Sequence, residues 1–334
     1  MNPILENKLK EMENANDYEC WYLVKQPTEF DSLCYLVSFL KKYKNSGSNK
    51  SLQEYISDEL YKLQTTKQTL KISDNHRALR VAAYFGLIII TSSQYSDAVI
   101  TDTFEEITAR CDGNYEETEK YSDIMQRQIE KMFISSSIDE EYKKIRQDFR
   151  LYPVMLLYKI LIELGHSTGK YQVSMTEYRY LVATTKVFED FLETLLLIKL
   201  FREESDAAAR FKQYSDKFSN RMNLALKQLD TLIVDNNFIS LKQDKIEEVA
   251  KKVFLFEQNP STFCTKNYFK FLGSKYSLFE LEKFEDNFIS NSSTENNRNQ
   301  IKNLSVAGDN ILLYGVPGCG KSYKIEKQYY LWQG

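Results

Sequence analysis

From Lys170 to Asn259 the chain contains neither glycine nor proline, and all 334 residues hold only 11 glycines and 5 prolines. These two residues end helices and bend strands. A chain that avoids them and is rich in Leu, Ile, Lys and Glu is expected to be mainly α-helical. The stretch "LYPVMLLYKILIELG" (151–165) is apolar almost throughout and reads as a buried helix, which other elements have to cover. The length allows two or three domains.

Residues 1–50 read as an N-terminal helical segment, with a short extended piece at "CWYLVKQP" and a helix from about Thr28 to Lys44. Residues 51–150 follow the order helix, helix, short strand of a small winged-helix-like module. "SLQEYISDELYKLQ" is its first helix, opened by a serine cap. "SDNHRALRVAAYFGLIII" is its second, stopped by Gly86 in a left-handed conformation. "AVIT" supplies the strand, and a helix follows it. The charged stretch 113–150 reads as solvated connecting helices. Residues 151–283 repeat the order as a second helical, winged-helix-like region. It comprises the buried helix, a helix capped by Ser174 at "SMTEYRYLVATT" and a longer helix at "KVFEDFLETLLLIKLFREE". "SDKFSNRMNLALKQLDTLIV" is then expected to be helical, "DNNFISL" a turn and strand, and "KQDKIEEVAKKVFLF" a helix. Residues 284–308 lose apolar residues and gain Asn and Ser, the mark of a linker. Residues 309–334 begin a strand, a glycine-rich loop and a helix.

The net charge of −3 brings no global basic field, which weighs against nucleic-acid binding except through local patches. Five scattered cysteines (Cys20, Cys34, Cys111, Cys264, Cys319) without a C-x-x-C pair suggest free thiols in a reducing cytoplasm. Two histidines make a zinc site a poor expectation, and no apolar run is long enough to span a bilayer.

Gly315-Val316-Pro317-Gly318-Cys319-Gly320-Lys321-Ser322 matches G-x-x-x-x-G-K-[ST] at every fixed position, after the apolar "NILLYG" and before a helix-forming stretch. Glycines let the backbone wrap with its N–H groups turned inward, a setting that favours polyphosphate. Lys321 would reach the β- and γ-phosphates and Ser322 would hold Mg2+ through its hydroxyl, so ATP or GTP with Mg2+ is the expected cofactor. Cys319 fills the loop. Hydrolysis further needs an acidic residue on a second strand. The sequence stops at Gly334 before one could occur, so it reads as the front of a longer protein. No NTP turnover is expected from it as it stands, and poor packing is expected of 309–334.

"NILLYGVPGCGKSYKIEKQY" resembles the Walker A segment of McrB-like AAA+ NTPases, the motor subunits of modification-dependent restriction systems. Val316 replaces a common proline and Cys319 a common Thr or Ser. The resemblance implies the first strand, P-loop and helix of a truncated α/β AAA+ domain, and a homo-oligomeric ring for the full-length protein. It also implies a McrC-like nuclease partner and double-stranded DNA as the track. "ISDNHRALRVAAYFGLI…YSDAVITDTFEEITAR" and "LYPVMLLYKILIELG…VSMTEYRYLVATT" are similar, in order, to the winged-helix recognition region of AlwI-type restriction endonucleases. That implies a DNA-reading helix from Asn75 to Phe85 with His76, Arg77 and Arg80 on one face. The plainer reading is a solvated face with both arginines paired to nearby acids.

Glu141 and Lys143 have nuclease-like E-x-K spacing but lie in a charged helical stretch and count as chance. Tyr178 and Tyr180 could stack on bases, but at helical spacing they read as core. The favoured function is the DNA-recognising front of an NTP-binding motor subunit of a restriction system. The alternatives are a non-enzymatic DNA-binding protein with a relic P-loop, and a regulatory P-loop ATPase whose helical region binds protein.

Overall fold

The computed structural model describes residues 2–15, 20–21, 29–66, 78–135, 149–214, 221–258 and 267–292. The P-loop, most of "CWYLVKQP", His76, Arg77, Glu141 and Lys143 lie outside them. The described chain is mainly helical, with a few short strands.

Helix α1 (Pro3–Asn14) starts with proline in its first turn, and the Asn2 side chain accepts from Ile4 N–H at 2.9 Å. Helix α2 (Phe30–Ser46) buries a stripe that includes Phe30, Leu33, Cys34, Val37 and Leu40, and ends at Gly47 in the left-handed region. Helix α3 (Leu52–Thr66) has the expected serine cap. The Ser51 hydroxyl accepts from Glu54 N–H at 3.3 Å, and the Glu54 carboxylate accepts from Ser51 N–H at 2.9 Å.

Helix α4 (Ala78–Tyr84) is stopped by Gly86, whose φ is +69°. A second constraint acts there, because a Cβ at residue 86 would lie 2.3 Å from the Leu272 carbonyl oxygen. Strands β1 (Ile88–Ile89) and β2 (Val99–Ile100) form an antiparallel hairpin, followed by α5 (Asp102–Cys111), which is capped by Thr101.

Helix α6 (Ser122–Glu130) departs from expectation. It lies in the stretch read as solvated, yet Ile124, Met125, Gln126, Gln128, Ile129 and Glu130 are buried, as is Lys131 just beyond. Its polar groups are satisfied inside the protein, so polar composition does not mean solvent here. Gln128 Nε2 donates to the carbonyls of Phe85 at 3.0 Å and Leu272 at 2.5 Å. Lys131 Nζ donates to the carbonyls of Phe271, Ser274 and Tyr276 at 3.1, 2.8 and 3.0 Å. The Glu130 carboxylate accepts from Lys252 at 2.8 Å and Gln126 at 2.9 Å. Burial pushes the Glu130 carboxyl above its ordinary pKa and pulls the Lys131 ammonium well below.

Strands β3 (Ile134–Ser135) and β4 (Arg150–Leu151) pair and lead into α7 (Pro153–Thr168), the expected buried helix. It begins on Pro153, ends before Gly169 at φ +72°, and buries residues on every side, from Val154 to Leu164. Strand β5 (Gln172–Ser174) leads into α8 (Met175–Glu177), opened by a capping box between Ser174 and Glu177. Without a break α8 widens into a π turn (Tyr178–Val182). Helices α9 (Phe191–Glu203), α10 (Ala207–Lys212) and α11 (Arg221–Lys227) follow.

"LIV" of the expected helix 215–234 is instead strand β6 (Leu232–Val234), paired with β7 (Phe238–Leu241). β-Branched residues and the turn between the strands favour this outcome. The Asp235 carboxylate accepts from the N–H groups of Asn237 and Phe238 at 2.6 and 2.7 Å. The antiparallel sheet runs β5-β7-β6. Its inner face holds Val173, Leu232, Ile239 and Leu241, all buried, and its outer face exposes Ile233 and Phe238. Helix α12 (Ile246–Gln258) packs on α7. Helices α13 (Tyr268–Leu272) and α14 (Leu281–Ser292) complete the described chain, with α13 bound through its carbonyls to α6.

Candidate nucleic-acid interface

Of the residues singled out for DNA contact, the structure describes Arg80 alone. Every other residue of α4 is buried, and Arg80 is half-buried and already engaged in a polar or electrostatic contact. Tyr178 and Tyr180 are both core residues, as their spacing suggested. Among the described residues no cluster of His, Cys, Asp or Glu could hold a metal ion, and no helix is long and apolar enough to cross a membrane.

The cations divide the molecule more sharply than the motifs do. In described residues 29–135 every lysine and arginine has a partner. Lys41 binds Glu105 at 2.6 Å, Lys50 binds Asp58 at 2.5 Å, and Glu59 takes Lys42 and Lys62 at 3.5 and 2.6 Å. Arg110 binds Asp123 at 2.6 Å and Glu106 at 3.0 Å, and Glu106 also takes Arg127 at 2.8 Å. Lys120 pairs with Glu117, Lys44 donates to the Ala98 carbonyl at 2.7 Å, and Arg80 and Lys131 are engaged as described. The exposed carboxylates of Asp102, Asp112 and Glu119 remain unpaired there.

Residues 149–258 differ. Lys159, Arg202, Lys242, Lys245 and Lys252 sit in ion pairs. Arg179, Arg210, Lys212 and Lys227 have no hydrogen-bond or ion-pair partner for their charged heads and lie on α8 with its π turn, α10 and α11, while Arg150, Lys170, Lys199 and Lys251 are likewise unpaired and exposed but lie on other elements. Helices α8, α10 and α11 touch one another. The Tyr180 and Phe211 rings are 6.1 Å apart, and Asn223 Nδ2 lies 3.5 Å from Met175 Sδ.

One carboxylate, Glu177, belongs to the three helices. It is fully occupied, because Arg202 grips it through Nε at 2.7 Å and Nη2 at 3.1 Å and the Ser174 N–H donates to it at 2.7 Å. Free acids elsewhere in this region include Glu193 and Glu203 on α9 and Asp206, the exposed N-cap residue of α10. The helices α8, α10 and α11 therefore carry net positive charge, offset in part by Asp206 at the start of α10, and a net positive surface attracts a polyanion. Sequence reasoning passed over these four residues because they form no run; only the pairing of Glu177 with Arg202 isolates them.

No protein-family description and no curated protein matches the sequence. Among solved structures, the binding domain of the BpuJ1 endonuclease, crystallised with pyrene- and phenanthrene-modified DNA, is similar in part. The TM-score is 0.41 and the identity 14%, over 72% of this chain and 86% of that one.

Proposed function

We propose that the helical body recognises duplex DNA through α8, α10 and α11, and that the segment from Asn310 binds ATP or GTP with Mg2+. Recognition would then be tied to an NTP-driven step, as in a motor subunit of a restriction system. The carrying observation is the set of free cations Arg179, Arg210, Lys212 and Lys227 on three touching helices whose one carboxylate is neutralised by Arg202. The element order adds support. Helix α7, strand β5, helices α8 to α11 and hairpin β6–β7, with β5 bonded to β7, favour a winged-helix reading of residues 153–241 in which α9 and α10 are extra helices between α8 and α11. In that reading α11 faces the groove and the hairpin is the wing. The NTP half rests on the P-loop sequence Gly315–Ser322, with Lys321 and Ser322 in the phosphate and Mg2+ roles. A ring of copies and a nuclease partner belong to the same reading.

The test is fluorescence anisotropy of a labelled mixed-sequence duplex titrated with the full chain at several salt concentrations. Four phosphate contacts would give a slope of log affinity against log salt of roughly −3 to −4. Absence of duplex binding at low ionic strength would sink the DNA half. Binding of a fluorescent ATP or GTP analogue, lost in Lys321→Ala, tests the other half. A second reading, a regulatory P-loop ATPase whose body binds protein, draws on the exposed Leu192 and Leu196 of α9 and Phe254 and Leu255 of α12. It is favoured if nucleotide binds and duplex does not.

A further inference from the structure

Helix α9 packs on α1, α7, α10 and the π turn, and it buries Thr194, Leu197, Ile198 and Phe201. Its opposite face reads Glu189, Leu192, Leu196, Lys199, at spacings of three, four and three residues, beginning in the turn that leads into the helix. That spacing keeps the four on one stripe, as along the seam of a coiled coil. All four are exposed, the two leucines by 60% and 42%. Among the described residues, neither Glu189 nor Lys199 has a hydrogen-bond or ion-pair partner for its charged group.

Exposed leucines alone name no partner. The charges beside them do. Glu189 and Lys199 are centred on position 194, and so are Leu192 and Leu196. A second α9 laid antiparallel, with a two-fold axis at the level of Thr194, therefore sets Leu192 against Leu196 of the other copy and Glu189 against its Lys199. Each contact occurs twice. Along the axis the leucines are about 6 Å apart and the charges about 15 Å, so every pair meets at the same level in both copies. A parallel copy in register would instead set Glu189 against Glu189 and Lys199 against Lys199. The helix dipole favours acids at the start of a helix and cations toward its end, which accounts for the order of charge. It does not account for leucines left uncovered between them.

We infer that the outer face of α9 docks on the same face of a second copy of this chain, antiparallel, through Leu192, Leu196, Glu189 and Lys199. The contact closes on two copies and is small, so association is weak, with a Kd on the order of 100 μM. It does not rest on the DNA or nucleotide readings above and stands if either fails. The experiment is sedimentation equilibrium of the full chain from about 5 to about 300 μM, without nucleotide or DNA. Wild type is expected to show a monomer–dimer equilibrium. Leu196→Ser should weaken it at least about tenfold, because each dimer loses two buried leucines. Glu189→Lys and Lys199→Glu should each weaken it about fivefold or more at low salt, because two attractions become two repulsions. Mixed in equal amounts, those two variants should associate about as well as wild type, since each then meets opposite charge. A misfolded variant would not be rescued in this way. Wild type that stays monomeric throughout would overturn the contact, as would a dimer unmoved by Leu196→Ser. A mixture no better associated than its separate variants would overturn the antiparallel pairing.

Discussion

Residues 29–135 and 149–258 are both helical, both carry a short antiparallel sheet or hairpin, and both contain many lysines and arginines. The first region matches each described cation to a partner, while the second leaves Arg179, Arg210, Lys212 and Lys227 open on adjoining helices. The lesson is that charge content does not separate a binding surface from a solvated one. The state of each charge's partners does, and partners are a property of the fold.

The largest effect tests this contrast directly. Changing Arg210, Lys212 and Lys227 to Glu should weaken duplex binding roughly a hundredfold or more, because attraction becomes repulsion at three positions. Changing Lys41, Lys50 and Lys62 to Glu alters the net charge by the same amount on the first region. That set should shift affinity less than about threefold, since those charges already face Glu105, Asp58 and Glu59. Equal losses in anisotropy would mean that the protein acts as a diffuse charge, and the comparison between regions would collapse.

Stability should show the opposite geography. Lys131→Met keeps most of the buried volume but strips one donor group from three carbonyls in the 271–276 loop. Each unsatisfied carbonyl costs about 1–3 kcal/mol, partly offset by removing a desolvated ammonium, so a net loss of roughly 3 kcal/mol is expected in urea unfolding. Hydrogen exchange should speed up first at residues 268–276, with duplex affinity unchanged. Gly86→Ala meets both a left-handed backbone and the Leu272 carbonyl, and should cost about 2 kcal/mol. A neutral outcome for either would show that α13 is not locked to the first region in the way the hydrogen bonds describe.

These residues also mark what the sequence could disclose. Helix α7 was legible from its unbroken apolar run, α3 and α8 from the caps at Ser51 and Ser174, and the end of α4 from Gly86, because each signal is local. The burial of α6 was not, because Gln128 and Lys131 are satisfied by carbonyls 140 or more residues away as well as by Phe85. Strand β6 was missed because three residues are too few to show a period, and their pairing with β7 decides them. The candidate interface was hidden for a related reason. Arg179 and Arg202 look alike in sequence, and Glu177 chooses between them in space.

The smallest expected effect gives the sharpest test of what a free cation means. Glu59 holds both Lys42 and Lys62, and the hydrogen bond from Lys62 and the charge of Lys42 keep its carboxyl below the usual glutamate range. Glu59→Gln would release two cations on the first region without adding any. Both lysines are exposed, so the cost in stability should stay below about 1 kcal/mol. A carboxyl depressed in the folded state stabilises above its unfolded pKa, and that contribution is lost as pH falls through the folded value. The thermal midpoints of Glu59→Gln and wild type should therefore differ at neutral pH and converge in acid below the glutamate range. Duplex affinity should rise by less than about twofold, because Lys42 on α2 and Lys62 on α3 are solvated and lie on helices that carry their own carboxylates, Asp31 and Asp58 among them. A gain of about tenfold or more would show that freedom from a partner is sufficient. In that case the arrangement of α8, α10 and α11 would no longer distinguish the two regions.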